Sequence, residues 1–158
     1  GPGDHSSLGR LARLYVRNLL PPVSFGDGAA SFVHVEDTVA GLLHCLERGQ
    51  LGETYLLSGG SLPVREVFSI WHTTPGGLKF IWWWMPRWLA VRYCAWLEPL
   101  ERLSDPSPLF SADLARMAFM DLQFDGTKAV RELGVKFRSP RQAWLDTLAS
   151  ERRHLGRR

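Results

Sequence analysis

The stretch SFVHVEDTVAGLLHCLE, residues 31–47, decides how the rest of the chain is read. Its opening SFVHV is β-branched and aromatic, which suits a short strand. Asp37 then falls where an N-cap belongs, with a carboxylate able to accept the orphan N–H groups of a first helical turn. Val39, Leu42, Leu43 and Leu46 follow at i, i+3, i+4 and i+7, the apolar stripe of a helix, and Gly49 is expected to close it as a left-handed cap. The join is therefore read as a strand running straight into a capped helix, with Asp37 in a structural role and not an acid/base one.

Working outward, residues 6–19 place Leu8, Leu11, Ala12, Tyr15 and Leu19 at helical spacing and stop before Pro21-Pro22. ETYLLSGG, residues 53–60, reads as a second strand ending in a glycine turn. LPVREVFSIW reads as a helix with Pro63 near its start and Glu66 in its first turn. TTPGG marks a turn, and KFIWWWMP, residues 79–86, gathers three successive tryptophans before a proline. A helix over 88–103 carries Leu89, Tyr93, Trp96, Leu97 and Leu100 on one side, and the loop SDPSP leads to the helical SADLARMAFM. Asp125 is expected to cap the helix TKAVREL, stopped by Gly134. SPRQ, residues 139–142, is a capping box with proline at N1 ahead of a helix facing inward with Trp144, Leu145, Leu148 and Ala149. Strands are few and helices dominate, so the pattern is α+β or the helical lobe of an α/β protein.

The totals bound the function. A chain of 158 residues with 45% hydrophobic content can bury one core. Nineteen basic against sixteen acidic residues leave a net charge of only +3, concentrated toward the tail ERRHLGRR, so no nucleic-acid partner is expected. Cys45 and Cys94 lack any CxxC or Cys/His spacing, which excludes a disulfide framework and a zinc site and makes a reducing, cytoplasmic compartment the default.

No glycine-rich strand–turn–helix, GxSxG elbow, HExxH helix or phosphate loop occurs, and Gly26-Asp27-Gly28 and Gly59-Gly60 read as turns. His34, His44 and His72 have no neighbouring nucleophile and read as packed or surface histidines. None of Tyr15, Tyr55 and Tyr93 is followed four residues later by lysine. By its residues alone the chain is a binding lobe without a reaction centre.

GPGD at residues 1–4, FVHVEDTVAGLLHCLERGQLGETYLLSGG in the middle and FDGTKAVRELGVKFRSPRQAWLDT near the end, taken in order, resemble the extended short-chain dehydrogenases/reductases, the NAD-dependent epimerase/dehydratase family. Lys128, Ala129, Glu132, Leu133 and Gly134 fit its KAxxELG helix. The resemblance covers nearly the whole chain but only the C-terminal half of the family's proteins. It implies a Rossmann-type α/β parent, with residues 1–158 as its mostly helical substrate-binding lobe of few short strands. It also implies that the N-terminal dinucleotide-binding half is the missing partner.

In the family, hydride transfer to or from NAD or NADP uses a Tyr-x-x-x-Lys pair, and that pair and the cofactor fingerprint belong to the other half. The resemblance therefore implies no catalytic, cofactor-binding or metal-binding residue here, and no dinucleotide bound by this chain alone. Nucleotide-sugar epimerases carry an arginine before the FVHV block, but this chain has Ala29-Ala30-Ser31 there, with no cation to fork onto a diphosphate. That places it nearer the dihydroflavonol-reductase, hopanoid-associated epimerase and 3β-hydroxysteroid dehydrogenase-like members. The expected small-molecule substrate carries a hydroxyl or keto group and is sugar-like or apolar (steroid, flavonoid or isoprenoid in character).

Trp84, Met85 and Arg116 are the candidate substrate contacts. Residues 80–103 could span a bilayer by length, but Pro86, Arg87 and Arg92 interrupt them, so a lid over the substrate is expected instead of a span. Three alternatives stay open: membrane association through an interfacial helix, a homo-oligomer, and a catalytically inactive interaction or membrane-surface module derived from the lobe.

Overall fold

The computed structural model describes residues 1–155 except 2, 5, 22, 75–82 and 104–108. The last three residues of the TTPGG turn, the start of the tryptophan run, the SDPSP loop, Pro22 and the last three residues of the basic tail lie outside the described residues. Within them, seven helices and four short strands occur in the order α1 (Ser7–Val16), β1 (Val23–Phe25), β2 (Ala29–Ser31), α2 (Val35–Arg48), β3 (Ser61–Pro63), α3 (Val64–His72), β4 (Trp83–Met85), α4 (Arg87–Arg102), α5 (Ala112–Met117), α6 (Thr127–Leu133) and α7 (Pro140–Leu155). The chain is mostly helical with few short strands, as its patterning predicts. β1 pairs parallel with β4, Ser24 opposite Trp84. β2 pairs antiparallel with β3, Ala30 opposite Leu62.

The core forms where α1, α3 and α7 meet. Ala12, Tyr15, Val16, Val67, Ile70, Trp71, Trp144 and Leu148 are buried together. Trp71 stands at its centre, with ring centroids 5.1 Å from Tyr15, 5.2 Å from Phe68 and 5.1 Å from Trp144 in tilted or edge-to-face contacts. A second cluster, Ala129, Leu133 and Val135, packs with Cys45 and Leu57 between α2 and α6. His44 Nδ1–H and Arg48 Nη1 both donate to the Leu133 carbonyl, at 3.0 and 3.1 Å, so α2 satisfies an orphan acceptor at the end of α6.

Several expectations are corrected. The strand lies at Ala29–Ser31, starting two residues before the predicted SFVHV; Phe32 still pairs with Gly59 and Gly60, but His34 already caps the helix, which ends the extended run there. ETYLLSGG forms no strand, and the partner of β2 is the segment just after it. Asp37 is not the N-cap of α2. His34 is, its Nδ1 accepting the Glu36 N–H at 3.3 Å. Asp37 sits in the first turn and accepts instead from Arg138, whose backbone N–H and Nε both lie 2.9 Å away. Gly49 has φ −64°, not a left-handed conformation, whereas Gly134, which stops α6 as expected, is the left-handed cap, at φ 72°.

Asp125 acts from one residue before the cap position, which Gly126 holds, and accepts the Thr127 N–H at 2.9 Å and the Thr127 hydroxyl at 2.9 Å. The SPRQ box is half formed. Pro140 starts α7 and Ser139 accepts the Gln142 N–H, but the Gln142 side chain reaches Asp146 instead of turning back. On α4 the buried stripe is Ala90 and Cys94, while Trp96 and Leu100 face outward, because small residues let α5 approach.

Candidate functional site

Three amphipathic helices present the walls of one cavity. On α3, Val64, Val67, Phe68 and Trp71 recur at i, i+3, i+4 and i+7. On α1, Leu8, Leu11 and Tyr15 share a face, and α5 contributes Leu114 and Met117, with Ala118 just past its end. Between them lies an apolar cavity of about 220 Å3, completed by Val23 and Phe25 of β1 and by Ala29 and Ala30 of β2. Beyond Ser7, Ser24, the Tyr15 hydroxyl and the Trp71 indole N–H, its described lining side chains are apolar. Burial pushes the Tyr15 phenol above its usual range, against the opposing charge of Arg152, so this wall carries no charge.

The wall opposite α3 depends on a glycine turn. Gly26 adopts φ 97°, and a Cβ on Gly28 would run into the Met120 carbonyl. That close approach lets residues 118–122 lie along β2. Gly28 N–H donates to Ala118 O at 3.1 Å, Leu122 N–H to Ala29 O at 2.7 Å and Ser31 N–H to Leu122 O at 3.0 Å. Asp121 accepts the Ala29 N–H at 3.0 Å.

The predicted substrate contacts lie around this cavity and do not line it. The Trp84 indole N–H donates to Gly26 O at 3.1 Å and its ring stacks edge-on to Phe68 at 6.0 Å, so Trp84 braces the turn. The Arg65 guanidinium sits 4.6 Å over the same ring. Met85 is a buried core residue of β4, and Arg116 is exposed on α5, paired with Asp113 at 2.6 Å. Phe68, Trp71, Leu114, Met117 and Met120 line the cavity instead. The signal that marks most of them is helical periodicity on α3 and α5.

Elsewhere, Arg138 ties α2 to the start of α7. Besides Asp37 it reaches Glu36 at 2.9 Å and Asp146 at 3.3 Å. His34 is buried, and with Nδ1 accepting, its proton sits on Nε2, which has no hydrogen-bond partner among the described residues. Burial, then the Arg138 charge, lowers its pKa against the pull of Glu36 and Asp37. His72 packs edge-on to Tyr15 at 6.1 Å. Among the described residues no group of His, Cys, Asp and Glu could hold a metal ion, and no helix is long and apolar enough to cross a membrane.

No family model matches the chain. It is similar to a curated protein of Synechocystis sp. named "Putative dihydroflavonol 4-reductase", 26% identical over 159 residues, which cover 94% of this chain and 44% of that protein. Among solved structures it is similar to gox2253, with a TM-score of 0.67 and 24% identity over 98% of this chain and 46% of that one. It also resembles RMD from Pseudomonas aeruginosa, solved with NADPH, with a TM-score of 0.56 and 15% identity over 98% of this chain and 46% of that one. The chain thus spans about half the length of the proteins it matches. The curated relative, the shared fold and the three ordered sequence blocks point the same way: over nearly its whole length this chain resembles the C-terminal half of extended short-chain dehydrogenases/reductases.

Proposed function

We propose that the chain is the substrate-binding lobe of an NAD(P)-dependent reductase or epimerase, working with a dinucleotide-binding half, and that its cavity receives the apolar part of the substrate. The observation that carries this reading is the cavity of about 220 Å3 with hydrocarbon walls. A concave apolar pocket of this size that opens to solvent at its rim has the character of a small-molecule site, because a guest buries its apolar surface there at roughly 25 cal/mol per Å2. The absence of a cation at Ala29-Ala30-Ser31 supports the same reading, since a nucleotide-sugar diphosphate would find no guanidinium there.

The dinucleotide-binding half has a surface to dock on. On α2 the apolar stripe faces outward, with Val39 52%, Leu42 57%, Leu43 55% and Leu46 86% exposed. Only Asp37 and Gly41 of that helix are buried. Such a stripe is what an internal interface between halves leaves when one is viewed alone. The test is NAD(P)H turnover by the chain joined to a dinucleotide-binding half, with apolar ketones and nucleotide-sugar ketones compared. Turnover of the apolar ketones that falls on Phe68→Asp is expected, and preference for the nucleotide sugars would overturn the reading.

A second reading has its own observation. Trp88, Trp96, Leu100 and Leu103, at the surface of α4, are 62–85% exposed, and Arg92 lies exposed on the same face. This is the composition of a helix lying in a membrane interface. Cosedimentation with anionic vesicles, lost on Trp96→Asp, would favour this surface role. Absence of vesicle binding would remove it.

A further inference from the structure

The dimensions and chemistry of the cavity narrow the substrate class, on the reading that it is the substrate site. An engineered 150 Å3 apolar cavity takes one benzene ring. Scaling by volume, about 220 Å3 takes roughly nine carbon atoms, the bulk of one substituted ring or two fused ones. A four-ring steroid skeleton is about twice that, so about half of it would protrude past the opening into solvent. The walls favour a flat ring over a flexible chain. Phe25, Phe32, Phe68 and Phe110 join Tyr15 and Trp71 around the space, so an aromatic guest finds edges and faces on several sides.

The cavity also orients its guest. The most exposed of the lining residues are Leu8 at 42%, Met117 at 48% and Met120 at 51%, which places them at the rim. The two methionines are unbranched and polarizable, suited to closing over rings of differing outline. Inside, a hydroxyl or keto group would lose its water and find few partners, a penalty of about 1–3 kcal/mol for an unpaired polar group. We propose that the cavity binds a one- or two-ring aromatic group, ring inward, with the substrate's oxygen-bearing reacting carbon held outside the Leu8–Met117–Met120 rim.

The test uses the chain itself, titrated calorimetrically and by thermal shift with toluene, 2-naphthol and a four-ring steroid. The expected result is tightest binding of 2-naphthol, at least tenfold over the steroid, and loss of that binding in Val64→Phe, which fills the cavity from α3. Leu114→Phe, filling it from α5, decides the point if the first variant fails to fold. A steroid bound as tightly as 2-naphthol, with the same loss in the filled variants, overturns the ring-size inference and leaves an apolar substrate site standing. Binding of none of the three, or binding untouched by cavity filling, overturns the site reading itself. Bound 2-naphthol that still shows naphtholate emission, by excited-state proton transfer from its hydroxyl to water, is expected; loss of that emission on binding would place the hydroxyl inside and sink the proposed orientation.

Discussion

Replacing Asp37 tests whether it caps a helix or ties two halves of the lobe together. Its carboxylate is 7% exposed at the residue level and accepts both the backbone N–H and Nε of Arg138, each at 2.9 Å. Asp37→Ala leaves a part-buried N–H without a partner, at about 1–3 kcal/mol, and removes one charge-assisted bond worth about 1.5–3 kcal/mol when well desolvated. The second figure needs discounting, because the Arg138 side chain is 28% exposed and keeps Glu36 and Asp146 as partners. The expected loss is about 2–4 kcal/mol, a large share of a stability of about 5–15 kcal/mol. Asp37→Asn discriminates between the roles. At an N-cap, asparagine is as good as aspartate, but here its amide can serve only one of the two donors and carries no charge, so about half the loss should remain. Urea unfolding reads both variants as a drop in midpoint with unchanged slope, and a cycle with Arg138→Ala measures the coupling. A loss below about 1 kcal/mol for alanine, with asparagine indistinguishable from wild type, would refute the tie.

Four further outcomes are expected. Gly28→Ala should destabilise at the upper end of the about 1–3 kcal/mol typical of overpacking and reduce binding of apolar ligands, since the new Cβ meets the Met120 carbonyl at the cavity wall; an unchanged thermal midpoint argues against that contact. The folded-state pKa of His34 is lowered, so the unfolded chain binds the proton more readily. Its contribution to stability is complete above about pH 6.5 and is lost as pH falls below it, and His34→Gln should flatten that part of the stability profile; a profile unchanged by the substitution contradicts it. Burial, with Glu101 and Glu98 behind it, pushes the Cys94 thiol up to about 11. A thiol reagent should therefore label half-buried Cys45 in the native protein and Cys94 only after unfolding, as peptide mapping would read. Finally, the isolated chain should self-associate or bind hydrophobic dye through α2, and Leu42→Glu with Leu46→Glu should suppress this; a clean monomer with little dye binding in sedimentation removes the docking surface.

Local signals set much of the architecture. Proline at the start of α7, the left-handed Gly134 and the 3.6-residue periodicity of α1, α3 and α7 act over one or two turns, so they are visible without the fold. The three ordered blocks likewise carried the family likeness. What depends on distant partners was not legible. The carboxylate of Asp37 looks like a cap from its neighbours alone, but Arg138, 101 positions away, decides its role. The apolar stripe of α2 is a helical signal that says nothing about which side is covered, and most of it is exposed. The cavity is the clearest case. Its walls come from α1, α3, α5 and two strands, each contributing side chains that read separately as ordinary core. Only their packing, with Gly26 and Gly28 drawing residues 118–122 against β2, leaves a space between them, because a void belongs to the distances among elements and to no single segment.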